Sequence, residues 1–157
     1  MAHILLVDDQ QFTREFLFYE LTQMGHDVSC VNNRDALFIF LEEHTPDLVL
    51  LDPNLNGFKG WDLLREIKLP GRPRMPTILF PSFEATLQDP RAGLADGYVI
   101  KNVDTQGLKE KMSEVLTHGQ HSDSHHQRWS GPTQQVPTAA PGSFLLTARG
   151  DKAHGRP

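Results

Sequence analysis

The sequence is poorest in cysteine: Cys30 is the only one among 157 residues. That excludes an internal disulfide and any metal site built from several thiolates. Its surroundings, Val28-Ser29-Cys30-Val31, read as a strand carrying a small residue rather than as a reactive thiol. Long apolar runs are missing too, and nothing approaches the roughly 18 apolar residues of a membrane span. The first residues, Met1-Ala2-His3-Ile4-Leu5-Leu6-Val7-Asp8-Asp9, have no basic flank and meet two acids after four apolar positions. That is not the pattern of a secretory signal, so a cytoplasmic protein that stays out of membranes is expected. Positive charge is also scarce. The formal charge is −5, and from Thr117 onward Arg128, Arg149, Lys152 and Arg156 outweigh Asp123 and Asp151 by +2, which leaves −7 on the first 116 residues. An acidic body repels phosphate backbones, so no direct nucleic-acid partner is expected.

What is present fits one soluble domain with residues left over: 38% hydrophobic and 22% charged. Ile4-Leu5-Leu6-Val7 is a continuous apolar run, as in a strand buried on both faces. Phe12, Phe16, Leu17, Tyr19, Leu21 and Met24 then recur near helical spacing, and Gly25 ends that helix. Val28 to Val31 predicts a second strand. Ala36, Leu37, Phe40 and Leu41 predict a second helix, closed before Pro46, and Leu48-Val49-Leu50-Leu51 a third strand. After a loop over 53–60, Trp61, Leu64 and Ile67 mark a third helix, with Trp61 read as core. Thr77-Ile78-Leu79-Phe80 is a fourth strand halted by Pro81, and Tyr98-Val99-Ile100 a fifth ending at Lys101. The last helix begins near Asp104, a good N-cap, and carries Leu108, Met112, Val115 and Leu116. Between Ser82 and Gly97, Asp89-Pro90 and Gly93 break the expected fourth helix, which is therefore predicted to be short or irregular.

Strands that alternate with helices must run parallel, and apolar strands between amphipathic helices imply a sheet covered on both faces. The periodic pattern stops near Thr117. The domain is predicted over 1–117, with 118–157 as a disordered polar tail whose only apolar patch is Phe144-Leu145-Leu146. The histidine-rich stretch 118–126 reads as solvated chain in preference to a metal site. No internal repeat or second domain is visible.

In such sheets ligands lie beyond the carboxyl ends of the strands. Three predicted strands end there on charge, at Asp8-Asp9, Asp52 and Lys101. Taken alone, Asp8-Asp9 reads equally well as an ordinary strand-end turn. Together, three carboxylates repel unless a proton or a cation joins them. All-oxygen ligands suit Mg²⁺, and a lysine opposite supplies a point charge for a phosphoryl oxygen. Metal, acceptor carboxylate and cationic clamp make a phosphoryl-transfer site.

The order Val7-Asp8-Asp9, Leu50-Leu51-Asp52-Pro53-Asn54-Leu55, Gly60 eight residues past Asp52, and Gly97-Tyr98-Val99-Ile100-Lys101 resembles bacterial two-component receiver domains, over about residues 2 to 117. The resemblance implies a flavodoxin-like α/β fold, a doubly wound five-stranded parallel sheet of order 2-1-3-4-5. It implies a stand-alone response regulator in which Asp52 accepts a phosphoryl group from a sensor histidine kinase or histidine phosphotransfer protein. Asp9 would ligate Mg²⁺ directly and Asp8 through water, Asp52 and the Asn54 backbone carbonyl completing the protein's share. The Asn54 side chain would influence how fast the phosphate is hydrolysed. Lys101 would pair with the phosphoryl oxygens. Tyr98 matches an aromatic that swings inward on activation, although plain packing also accounts for it.

Two positions depart from the family pattern. The strand-four hydroxyl residue falls on Pro81, leaving Ser82 next door as the substitute, and Asn102 follows Lys101 where a cis-proline is usual. The site chemistry reads as intact and the relay to partners as altered. With no output domain expected, signalling would run through an unidentified downstream protein. A phosphorylation-independent interaction module is the alternative. A phosphohydrolase with an aspartate nucleophile is a third reading, opposed by Asn54, where such enzymes usually carry a second acid.

Overall fold

The computed structural model describes residues 1–119. Five strands, β1 (His3–Val7), β2 (Asp27–Val31), β3 (Leu48–Leu51), β4 (Thr77–Leu79) and β5 (Gly97–Tyr98), form one parallel sheet in the order β2-β1-β3-β4-β5. The helices are α1 (Gln11–Gln23), α2 (Arg34–Glu43), the single turn α3 (Leu55–Phe58), α4 (Gly60–Ile67) and α5 (Gln106–Gly119). Both the doubly wound class and the strand order agree with expectation.

The apolar runs explain the two-sided core. Side chains along a strand alternate between faces. Leu5, Val7, Val49, Leu51 and Leu79 therefore pack on one side against Leu37, Phe38 and Leu41 of α2 and Trp61, Leu64 and Ile67 of α4. Ile4, Leu6, Leu48, Leu50 and Ile78 face the other way, against Leu17 and Leu21 of α1 and Leu108, Met112 and Val115 of α5. Burying one such leucine stabilises by about 1.5–3 kcal/mol, so the runs alone strongly favour a sheet between two helical layers.

The structure corrects several details. On α1 only Leu17 and Leu21 are fully buried; Phe12 is 77% exposed and Tyr19 is also outside, so half of the predicted stripe is surface. On α2 the buried aromatic is Phe38, which the sequence reading passed over, while Phe40 is half-buried. The fourth strand stops at Leu79, but Phe80 still donates its N–H to the Leu51 carbonyl. The fifth covers only Gly97–Tyr98, and Val99 and Lys101 continue the pairing through single bonds to Leu79 and Pro81. Helix α5 begins at Gln106, with Asp104 Oδ1 accepting the Gln106 N–H at 2.9 Å. It runs on to Gly119, taking in His118, two residues past the predicted domain end. The rest of the predicted tail and of the histidine-rich stretch lies outside the described residues.

The irregular fourth helix is present as expected, as two 3₁₀ turns, Glu84–Gln88 and Pro90–Leu94. Asp89 between them is extended because the proline ring that follows disfavours helical backbone, and its carboxylate accepts the Arg91 N–H. At the start of α4, Gly60 lies so close to the Asp52 carbonyl that a Cβ there would collide with it and stand 2.7 Å from the Pro53 Cα. This close approach draws α4 against the end of β3.

Candidate functional site

Strands β1 and β3 are paired in register, Val7 with Leu51, so the residues that follow each strand emerge side by side. Asp8 donates its N–H to the Val31 carbonyl, and Asp52 donates its N–H to Val7. Both carboxylates are buried, at 1% and 2% exposure, whereas Asp9 is exposed. Lys101 comes over the end of β4, anchored by its N–H to the Pro81 carbonyl. Its Nζ stands 2.7 Å from Asp8 Oδ2 and 2.8 Å from Asp52 Oδ2. Both contacts are short, charge-assisted pairings, so the one ammonium bridges the two buried carboxylates.

Each acid is also held by one backbone N–H. Gln10 donates to Asp8 Oδ1 at 2.8 Å, Asn54 to Asp52 Oδ1 at 2.8 Å, and Asn56 to Asp9 Oδ2 at 3.0 Å. One oxygen from each of Asp8, Asp9 and Asp52 lies within 4.8 Å of the others. Burial lifts the Asp8 carboxyl above the ordinary carboxylate range, and the neighbouring Asp52 charge adds to this against the Lys101 and Gln10 hydrogen bonds. Burial would lower Lys101, but its hydrogen bonds and charge pairing with Asp52 and Asp8 outweigh it and raise the ammonium's pKa.

A single ammonium, paired with two of three clustered carboxylates, leaves the site with excess negative charge. Such a set of hard oxygen donors fits Mg²⁺, which needs few protein ligands and retains waters. Asp8, Asp9 and Asp52 are brought together as the sequence suggested. Asn54 is tied to the group through its N–H on Asp52, and its carbonyl accepts the Gly57 N–H at 3.2 Å. The Asn54 side-chain Oδ1 is buried without a hydrogen bond.

Other anticipated residues stand further from this arrangement. Pro81 is buried at the end of β4 and offers no hydroxyl, and half-buried Ser82 contributes no hydrogen bond to the three acids or Lys101. The Lys101–Asn102 peptide is trans, and the lysine reaches both acids from it. Tyr98 is 56% exposed, pointing outward from the edge strand. Asn56 was not anticipated. Asn56 and Gly57 take left-handed backbone conformations (φ 46° and 73°), and the Asn-Gly pair was the available signal for such a turn.

Comparison with known proteins agrees with this geometry. The family described as "Response regulator receiver domain" matches residues 4–113. The two-component response regulator PhoP of Pseudomonas aeruginosa is 31% identical over 116 residues, covering 72% of this chain and 51% of PhoP. The transcriptional regulatory protein AfsQ1 of Streptomyces coelicolor is 32% identical over 123 residues, covering 76% and 53%. The chain thus spans about half the length of these curated relatives. Among solved structures, response regulator TrrA of Thermotoga maritima in complex with Mg²⁺-BeF is 30% identical, with a TM-score of 0.68 over 73% of this chain and 99% of TrrA. TrrA in complex with histidine kinase ThkA gives 32% identity and a TM-score of 0.66 over 74% and 99%. Among the described residues no helix is long and apolar enough to cross a membrane. Fold, site and relatives converge on one identity: the chain belongs to the response regulator receiver domains of two-component signal transduction.

Proposed function

We propose that the chain is a phosphorylation switch in which Asp52 accepts a phosphoryl group from a histidine kinase or a histidine phosphotransfer protein. The observation that carries this reading is the buried Asp8–Lys101–Asp52 bridge at the carboxyl edge of the sheet. An Asp52 carboxylate oxygen forms the bond to phosphorus as the bond to the donor nitrogen breaks. Lys101, already within 2.8 Å, follows the new charge and pairs with a phosphoryl oxygen. Asp9, Asp52 and the Asn54 carbonyl would hold Mg²⁺ directly and Asp8 through water; once bound, the ion neutralises charge on the transferred group. The catalytic contribution of the protein is positioning and electrostatics, so the chain signals rather than turning over a substrate.

The Mg²⁺-BeF complex of TrrA and its complex with a histidine kinase support the cation and the donor class for this chain. The bound phosphoryl group adds about −1.5 to −2 of charge, borrowing the value for other phosphorylated side chains. That charge biases the packing of the 82–101 segment, and with it the affinity for a downstream protein. The acidic body favours a protein partner over direct nucleic-acid contact, and the reading places the chain in the cytoplasm. The receiver is assigned to 1–117.

A second reading, an interaction module that works without phosphorylation, is favoured by Pro81 standing where a hydroxyl is expected and by Ser82 making no bond to the site. Intact mass after incubation with Mg²⁺ and a small phosphodonor separates the two. The switch predicts a gain of one phosphate that Asp52→Asn abolishes, with amide shifts reaching Tyr98 and the 82–97 segment. No uptake from several donors would support the module.

A further inference from the structure

The two 3₁₀ turns between β4 and β5 lie beside α4 without a fully buried residue of their own. Leu87, Ala92 and Ala95 reach the core but are only partly buried, and Phe83 and Leu94 are exposed. A stretch with so little buried apolar area opens at low free energy, so its specific ties decide where it rests. Arg91 supplies them. Its Nε and Nη2 fork onto the Asp89 carboxylate at 2.9 and 2.7 Å, which sets the plane of the guanidinium. That plane lies over buried Trp61, 5.4 Å from the ring centroid, and Nη1 reaches Asp62 Oδ1 at 3.5 Å. Trp61 and Asp62 both belong to the first turn of α4.

The same turn abuts the acceptor. Gly60, the residue before Trp61, stands against the Asp52 carbonyl with no room for a Cβ. The Asp52 backbone and Arg91 therefore rest on consecutive residues of one helix start. The end of β4 offers no comparable link, since Pro81 has no hydroxyl and Ser82 makes no bond to the acids or Lys101. We propose that Arg91 is the latch of the switch: it pins the 84–94 segment to the first turn of α4 in the unphosphorylated chain, and a shift of that turn on phosphorylation of Asp52 releases it. The inference rests on the proposed function and deepens it by naming the contact that the phosphoryl group loosens. A small movement suffices, because the Asp62 pair already stands at 3.5 Å and the attraction between a cation and a ring is confined to about 6 Å.

Linkage gives the test. If a phosphoryl group releases the latch, removing the latch must tighten binding of a phosphoryl mimic by the factor the latch was worth. Arg91→Met keeps the length of the side chain and removes its charge and its fork. In the full chain without ligand, its amides over 84–94 should exchange with solvent about 3–30-fold faster than in the parent, the range expected for a lost cation–ring contact. Titration with beryllofluoride at fixed Mg²⁺, followed through the amide resonances around Asp52, should show affinity raised by a similar factor. Asp62→Asn, which keeps the ring contact, should move both readouts the same way by less. Glu84→Gln, an exposed acid of the same segment, should move neither.

Parent-like exchange in Arg91→Met would overturn the latch. So would faster exchange with beryllofluoride affinity unchanged or weakened, which would leave Arg91 a purely structural tie, or an equal response in Glu84→Gln. Failure of the parent itself to bind beryllofluoride would overturn the proposed function and the release step with it. Faster exchange in Arg91→Met would in that case uphold the pinning contact and locate the failure in the phosphoryl reading.

Discussion

Two clusters of buried or half-buried charge sit at opposite edges of the sheet, and they are built on opposite balances. At the carboxyl edge, Asp8 and Asp52 share the single ammonium of Lys101, with the Asp9 carboxylate clustered beside them. At the amino edge, Asp96 alone accepts from Lys68 Nζ at 2.6 Å, Arg74 at 3.3 Å and the Thr77 N–H at 2.8 Å. The carboxyls respond in opposite directions. Burial lifts Asp8. Burial would lift Asp96 too, but Lys68, the Thr77 amide and Arg74 outweigh it and hold Asp96 below the ordinary carboxylate range. A satisfied cluster is a clip, here joining the end of α4 to the starts of β4 and β5. An unsatisfied one is a site, since only a further cation or a proton completes it.

The contrast can be broken first at Lys101. Lys101→Met strands two buried carboxylates and should cost the Mg²⁺-free protein about 3–5 kcal/mol, read from urea unfolding. Added Mg²⁺ should restore part of that loss. Asp96→Ala leaves the Thr77 N–H unpaired and Lys68 with only the Met75 carbonyl, a loss of about 1–3 kcal/mol. Calorimetry should find its Mg²⁺ affinity unchanged; a change would erase the distinction between clip and site.

Acidity sharpens the same comparison. With the folded pKa of Asp96 depressed, the unfolded chain takes up its proton first as pH falls. The stability contributed by Asp96 is therefore complete above the unfolded value of about 3.9 and is lost as pH falls through the lower folded value. Urea midpoints measured from about pH 6 down to 2 should fall less steeply in Asp96→Asn than in the parent. The smallest effect belongs to Arg74, whose side chain is 54% exposed. Arg74→Gln should cost only about 0.2–1 kcal/mol.

The halves of this comparison were unequally legible in the sequence. The carboxyl edge could be read because each strand is a short apolar run that stops at a charge, so the edge is marked in the chain itself. The amino-edge clip left no such mark. Lys68 and Asp96 are 28 residues apart, one just past the end of α4 and one just before β5, and only the folded sheet brings them together. The α1 stripe misled for another reason: Tyr19 stands two positions from both Leu17 and Leu21, which on a helix of 3.6 residues per turn turns it away from the face they share, and Phe12, seven residues earlier, lies on the same outer side. Asn56 escaped because an Asn-Gly pair announces a turn without saying what its amide will meet.

The strand order has a consequence for self-association. It leaves β2 and β5 at the margins, each with one row of backbone donors and acceptors facing outward. A margin recruits foreign strands in proportion to its length and flatness. With two residues, β5 is too short to template another chain, and the 3₁₀ turns before it prevent its extension. The five residues of β2 are protected differently, by the Asp27 charge at one end and the non-repetitive Asn32-Asn33 break at the other. Any strand addition to this domain therefore begins at β2, beside the exposed Cys30, and not at the margin that carries Tyr98.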